Sequence, residues 1–424
     1  MASKKLIIGI DYTDRYCQAC YYSYRHGRPE SVSAGTDVMR YLIPSVLLFD
    51  PDNNDWVIGN YALRMEEETG IYAVRNLMAN IRTGGTRMVN GREYTYKQLM
   101  AAFFGKLIEF IRIRTSVMYV ENITITMNEV DEQIKESMED VFSMLGIDSA
   151  SIRLLSYAES FGYFFAGEAG NSGKEGAILF DFGYDGFFAK QLKGSVNRGK
   201  PLLYVDEYDF SKDFSIDSLA SEMLRQQMDE KLSNLFLDMS SNESPGIVYF
   251  TGEGFSEQWF YRTLSTISGG HRAFKGNNLY VKGACLAGFL RYRGEEEDCI
   301  ILCKGRTRVF ITLEAWDNGN LVDIMLSPAA VDWYDAGFTG DFILENEHSI
   351  ILKIHSLVNG HAAPVEIVLS GFPQRPVKTT RVEIDIRYRN DMECVVNVTD
   401  KGFGDFFRGA KTVVTRTISM ADYI

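Results

Sequence analysis

Six cysteines and five histidines in 424 residues leave little material for a disulfide framework or a dedicated metal domain. Cys17 and Cys20 form a C-x-x-C inside a strand-like run, where a spacing of three turns the two side chains to opposite faces. Cys299 and Cys303 add no zinc-ribbon spacing to them, so all four read as small apolar fillers. The histidines (His26, His271, His348, His355 and His361) show no ligand or catalytic-triad spacing. Positive charge is also in deficit: 44 Lys and Arg against 57 Asp and Glu give a net charge of −13, which argues against nucleic acid or an anionic membrane as partner. No apolar run approaches the roughly 18 residues that span a bilayer. The opening "MASKKLIIGI" has an apolar run too short for a signal peptide, and a reducing cytoplasm is the expected compartment.

What the chain does have is an ordinary globular balance, 46% apolar and 24% charged residues, in a length sufficient for several cored domains. The segment "KKLIIGIDYTDRYCQACYYS" is a buried strand that ends on Asp11, makes a tight turn and enters a second strand. Further on, "PDNND" carries hairpin chemistry, "YTYKQLMAAFFGKLIEFIRIRT" has helical periodicity, "ENITITMNEV" reads as a strand, and "DEQIKESMEDVFSMLGI" is an amphipathic helix closed by Gly146. "IRLLSYAESFGYFFAGEAG" reads as strand then helix, closed by a polar loop at 170–176. The opening pattern then returns about 170 residues later: "EGAILFDFGYDGFFAKQLKG" is a strand, an acid (Asp181), a short turn and a second strand. A strand-turn-helix, "GIVYFTGEGFSEQWFYRTLSTI", and the small-residue run "VKGACLAGFL" complete this part. Residues 295–304 read as a linker, and 305–424 as an all-β sandwich with turns at Asn318-Gly319, Asn346-Glu347, Asn359-Gly360 and Asn390-Asp391.

The two strand-acid-turn-strand hairpins, with the late glycine turn, resemble the actin/sugar-kinase/heat-shock ATPase superfold. "IPSVLLFDPDNNDWVIGNYA", "VENITITMNEVDEQIKESMEDVFSMLGIDSASIRLLSYAESFGYFF" and "PVEIVLSGFPQRPVKTTRVEIDIRYRNDMECVVNVTDKGFGDFF" are similar to successive parts of the DnaK-type, seventy-kilodalton heat-shock chaperones. The resemblance covers nearly the whole chain in order. It implies an α/β actin-like (ribonuclease H-like, duplicated) ATPase body over 1–294, the linker at 295–304, and a sandwich over 305–424 resembling the chaperones' peptide-binding domain. Only about 70 residues separate Asp181 from Gly252, so the outer lobe IIB is expected to be reduced; the helical lid is expected to be missing.

The resemblance also implies a site. Asp11 and Asp181 take the places of acids that hold magnesium through water, and Arg75 falls near the lysine that orders the attacking water. Thr13, Arg15, Gly183, Gly186, Gly252 and Gly254 fall on the turns that cradle ATP or ADP. The turns depart from the family. The first reads Asp11-Tyr12-Thr13-Asp14-Arg15 without its glycine, and Asp14 is expected to place a negative charge where phosphate oxygens would sit, a repulsion of about a few kcal/mol at an effective dielectric near 20. In the second, Tyr184 and Asp185 add bulk and charge. In the third, Glu253 replaces a glycine. The family's crossover glutamate aligns with Tyr157, with Glu159 as a loose substitute. On the sandwich, Trp316, Val331, Trp333 and Tyr334 lie on loops that would contact a protein or extended peptide client. The first expectation is therefore a chaperone-like binding or scaffolding protein with a degenerate nucleotide site. Alternatives are an active ATP- and magnesium-dependent chaperone or reactivase, and an actin-like assembly protein.

Overall fold

The computed structural model describes residues 5–35, 40–168, 176–197, 200–241, 244–295, 299–345, 348–404, 407–410 and 412–424. Most of the polar loop expected at 170–176, the Asn346-Glu347 turn and part of the 295–304 linker lie outside them. The chain forms two compact units, Met1–Ile301 and Leu302–Ile424.

In the first unit, β1 (Leu6–Tyr12), β2 (Tyr16–Ser23), β3 (Arg28–Ser31) and β4 (Ile43–Pro44) are followed by two small hairpins, β5 (Leu47–Asp50) with β6 (Asp55–Ile58) and β7 (Thr86–Val89) with β8 (Arg92–Thr95). Helices α1 (Gly59–Thr69) and α2 (Leu77–Thr83) lie between the hairpins, and α3 (Tyr96–Thr115) follows them. Then come β9 (Val120–Met127), α4 (Glu132–Met144), β10 (Ile152–Ser156) and α5 (Tyr157–Gly167). The sheet order is β10-β9-β1-β2-β3, with β9 and β10 parallel to β1 and β2 antiparallel to it. β1 is buried over its whole length, which is why it reads as a continuous apolar run.

The same connectivity then repeats. β11 (Gly176–Gly183), β12 (Gly186–Asn197), β13 (Lys200–Asp209), α6 (Glu222–Ser240), β14 (Pro245–Thr251), α7 (Tyr261–Ile267), β15 (Arg272–Lys275) and α8 (Leu279–Arg293) build a sheet whose order includes β15-β14-β11-β12-β13. Again the first strand, β11, pairs antiparallel with the next, β12, and parallel with a later one, β14, as β1 does with β2 and β9. The helices that end the two halves, α5 and α8, pack on each other so closely that a Cβ on Gly283 would stand 1.8 Å from the carbonyl oxygen of Ser160. A side chain on Gly9 would likewise strike α8, at 2.5 Å from the Val281 carbonyl oxygen, so this helix also lies directly on β1. The carboxyl ends of β1 and β11 are thereby brought together. Cys17 faces the main core of the first half while Cys20 packs on Val281 and Cys285, on opposite faces of β2.

The units divide within β16 (Ile300–Cys303). In the second unit, β17 (Val309–Asp317), β18 (Asn320–Ser327), β19 (Phe338–Ile343), β20 (Ser349–Ser356), β21 (Ala362–Val368), β22 (Arg381–Asn390), β23 (Glu393–Phe403), β24 (Phe407–Arg408) and β25 (Val413–Ser419) form two antiparallel sheets. Alternate residues of both sheets, Ile311, Leu352, Ile367, Ile384 and Val396 among them, make one core. The β17–β18 turn has Asn318 and Gly319 both at positive φ, 48° and 83°, which matches the twist of the flanking strands.

Candidate functional site

Two acids that stand 170 positions apart in the chain line one cavity of the first unit, of about 130 Å³. Asp11 is the penultimate residue of β1 and Asp181 lies near the end of β11; around them are Thr13, Arg15, Gly183, Asp185, Gly186, Gly252 and Glu253, together with Tyr157, Tyr184 and Tyr280. Each half of the repeat treats its acid in the same way. Ser156 and Glu159 form a capping box that starts α5, and Tyr157 at its first position donates its hydroxyl to Asp11 at 2.8 Å. Tyr280, in the first turn of α8, donates to Asp181 at 2.7 Å. The two tyrosine rings stack face to face, 4.0 Å between centroids and 3° between planes.

Lys190 lies beside this stack, nearly equidistant from the two ring centres. It is 1% exposed, stands 5.4 Å from the centre of the Tyr280 ring and 5.9 Å from that of Tyr157, and pairs with Glu207 at 3.4 Å. Burial pushes Asp11 up from 3.8 to about 7; the Tyr157 hydroxyl opposes this, while the charges of Asp181 and Glu253 reinforce it. Burial also raises Asp181, against the Lys190 charge and the Tyr280 hydroxyl. Glu253 is raised by burial first, and then by Asp181 and Asp185, with Arg15 opposing. Arg15 is the one cation among the described lining residues, against four carboxylates. Its guanidinium stacks 4.2 Å from the centre of the Tyr184 ring, so the first turn reaches across to the second.

The glycines expected to receive phosphate are held by the protein's own packing. A Cβ on Gly183 would stand 2.9 Å from a Glu253 carboxylate oxygen, and one on Gly186 would strike the Ser211 hydroxyl at 2.2 Å. Gly252, at φ 94°, passes so near Phe182 that a Cβ would meet its carbonyl oxygen at 2.3 Å; Gly254 lies against the Phe182 ring and is not a lining residue. The Thr13 hydroxyl closes its own turn, accepting from the Arg15 and Tyr16 amides and donating to the Tyr16 carbonyl.

One expectation is corrected outright. Asp14 does not put its charge into the cavity: its carboxylate accepts from the Met78 and Ala79 amides at 2.8 and 2.9 Å, capping α2, whose own N-cap residue Asn76 gives no side-chain cap. Arg75 is outside the cavity lining and forks onto Glu66, whose carboxyl the ion pair holds at about 2. Glu159 is consumed by the α5 capping box. Tyr280 and Lys190 escaped the sequence reading. The signal for Tyr280 was that both closing helices carry a tyrosine in their first turn; Lys190 gave none beyond a charge in an apolar strand. No group of three or more metal-ligating side chains occurs among the described residues, so Asp11 and Asp181 remain a pair.

On the second unit, Val331 and Trp333 pack against the core, with Tyr334 edge-on to Trp333 at 5.5 Å. Trp316 is 59% exposed beside the β17–β18 turn, its indole N–H donating to Glu345 at 3.1 Å. No helix among the described residues is long and apolar enough to cross a membrane.

Residues 28–304 match the model described as "Family of unknown function (DUF5716) C-terminal", and residues 306–420 match "Domain of unknown function (DUF8552)". The two matches meet close to where the units divide. A comparison with curated proteins finds no match.

Proposed function

The chain belongs to the DUF5716 C-terminal family, and from that premise we propose that it is a chaperone-like binding or scaffolding protein in which an actin-like, duplicated ATPase body has been closed into a non-hydrolysing core. The repeated sheet connectivity supports the duplicated body, as does the meeting of Asp11 and Asp181 at one cavity. The observation that carries the functional reading is the pair of tyrosines. Tyr157 and Tyr280 already occupy the two acids that would hold magnesium and its water, and their stacked rings stand in the cleft.

A magnesium nucleotide does not fit these residues as arranged. Glu253 stands against Gly183, where a phosphate would approach the turn, and Arg15 is committed to Tyr184. The remaining space, about 130 Å³, is below the roughly 300–1,000 Å³ of ordinary small-molecule sites. Partner binding then falls to the second unit, with the exposed Trp316 as an aromatic anchor for an extended protein segment. A reducing cytoplasm suits six cysteines that are all free and buried.

Calorimetry with ATP and magnesium, paired with a steady-state phosphate-release assay, tests this reading. The expected result is no saturable heat and no turnover above blank. Micromolar binding with turnover that disappears in both Asp11→Asn and Asp181→Asn would overturn it.

A further inference from the structure

A second cavity of the first unit, of about 240 Å³, shares no lining residue with the first. It lies among the end of α5, β14, β15 and the start of α8. One wall is aromatic. Tyr249 meets Phe164 edge-on at 5.7 Å and 79°, and Phe274 lies nearly parallel to Tyr249 at 5.9 Å and 28°. Phe164 and Tyr249 are buried, but Phe274 is 51% exposed on the edge strand β15, leaving an aromatic face turned to solvent.

The charged part of the lining is mostly cationic: Arg272, Lys275 and Lys282 with the single acid Glu168, on a chain whose net charge is −13. Among the described residues Lys282 has no ion-pair partner, and the Lys275 ammonium donates to the neutral carbonyl of Ser256 at 2.9 Å, which leaves its charge uncompensated. Like charges gathered on an otherwise acidic protein repel one another and are relieved by a bound anion. Aromatic faces beside them favour a flat, apolar body on that anion.

We propose that this cavity binds a small organic anion built on a flat aromatic ring, with the ring against Phe274 and Tyr249 and the anionic group toward Lys282, Lys275 and Arg272. At about 240 Å³ the cavity is smaller than ordinary drug-sized sites, which limits the ligand to one or two fused rings. The proposal is independent of how the Asp11–Asp181 cavity functions.

The probe is 2-naphthoate, titrated calorimetrically into the full chain, with 2-naphthamide as its uncharged isostere and inorganic phosphate as an anion without a ring. Saturable naphthoate binding is expected, with the amide and phosphate each weaker by about tenfold or more, as loss of a charge-assisted hydrogen bond or of ring burial predicts. The double variant Arg272→Ala/Lys282→Ala should lose about tenfold or more, and Phe274→Ala about three- to tenfold, with far-UV circular dichroism unchanged. Absence of saturable naphthoate binding overturns the proposal. So does equal affinity for naphthoate and either comparison ligand, or undiminished binding by the double variant. The three-ligand comparison on the unaltered protein decides the matter even if a variant folds poorly.

Discussion

Asp11 is a carboxyl group that the fold makes costly to ionise. Its pKa of about 7 against an ordinary 3.8 means that between pH 4 and 7 the folded state holds a proton the unfolded state has lost. Stability must therefore fall as pH rises through that window, by something on the order of 4 kcal/mol if the whole shift is expressed. Asp181 and Glu253 are raised by the same burial and push the same way. Asparagine at position 11 keeps an acceptor for the Tyr157 hydroxyl and removes the ionisation. Asp11→Asn should thus raise the melting temperature of the first unit at pH 8 more than at pH 5, and flatten its slope between them. Thermal unfolding followed by circular dichroism at both pH values checks this; equal shifts at pH 5 and pH 8 would mean that Asp11 is not the buried acid described. Tolerating so unfavourable a group is a common mark of a site retained for something other than stability.

At the scale of elements, the closing helices of the two halves are positioned by small residues. At Gly283 on α8, an added Cβ would stand 1.8 Å from the carbonyl oxygen of Ser160, so one helix must move off the other. Gly283→Ala should cost about 3 kcal/mol or more, since backbone has nowhere to yield, and should disturb the Tyr157–Tyr280 stack that the two helices carry. Gly105→Ala on α3 is the matched comparison: there the added methyl meets the tip of Leu145 at 3.2 Å, and the loss of glycine's backbone freedom offsets the crowding. That variant should remain within about 1 kcal/mol of the parent in urea unfolding. What was legible in the sequence follows the same division. Strand β1, the capped helix α4 and the Asn318-Gly319 hairpin were readable because periodicity, cap and turn are local signals. The fate of Asp14 was not, because the amides it caps come 64 and 65 residues later. Nor were Tyr280 and Lys190, whose roles exist only once α8 and β12 meet Asp181.

For the whole molecule, the two units should answer acid in opposite directions. The second is clasped by a buried ion pair: Arg375 reaches both carboxylate oxygens of Asp400, at 2.6 and 2.8 Å, with side chains 4% and 0% exposed, and Asp400 also accepts from the Gly402 and Ala410 amides. These bonds outweigh burial and hold the Asp400 carboxyl below its ordinary 3.8, so its contribution is complete above about pH 4 and is lost as pH falls through the folded value. The first unit carries the raised acids Asp11, Asp181 and Glu253 and gains stability from pH 7 down to about pH 4. Scanning calorimetry of the full chain should therefore show one transition that moves up between pH 7 and pH 5 while the other stays in place. The second should then fall below about pH 4. Arg375→Ala identifies it: an unpartnered buried carboxylate costs about 3–5 kcal/mol, enough to lower that transition by several degrees at pH 7 without displacing the pH-sensitive one. A single transition that responds to both Asp11→Asn and Arg375→Ala would mean that the two cores unfold together, and that what happens at the tyrosine-filled cavity is felt by the unit bearing Trp316.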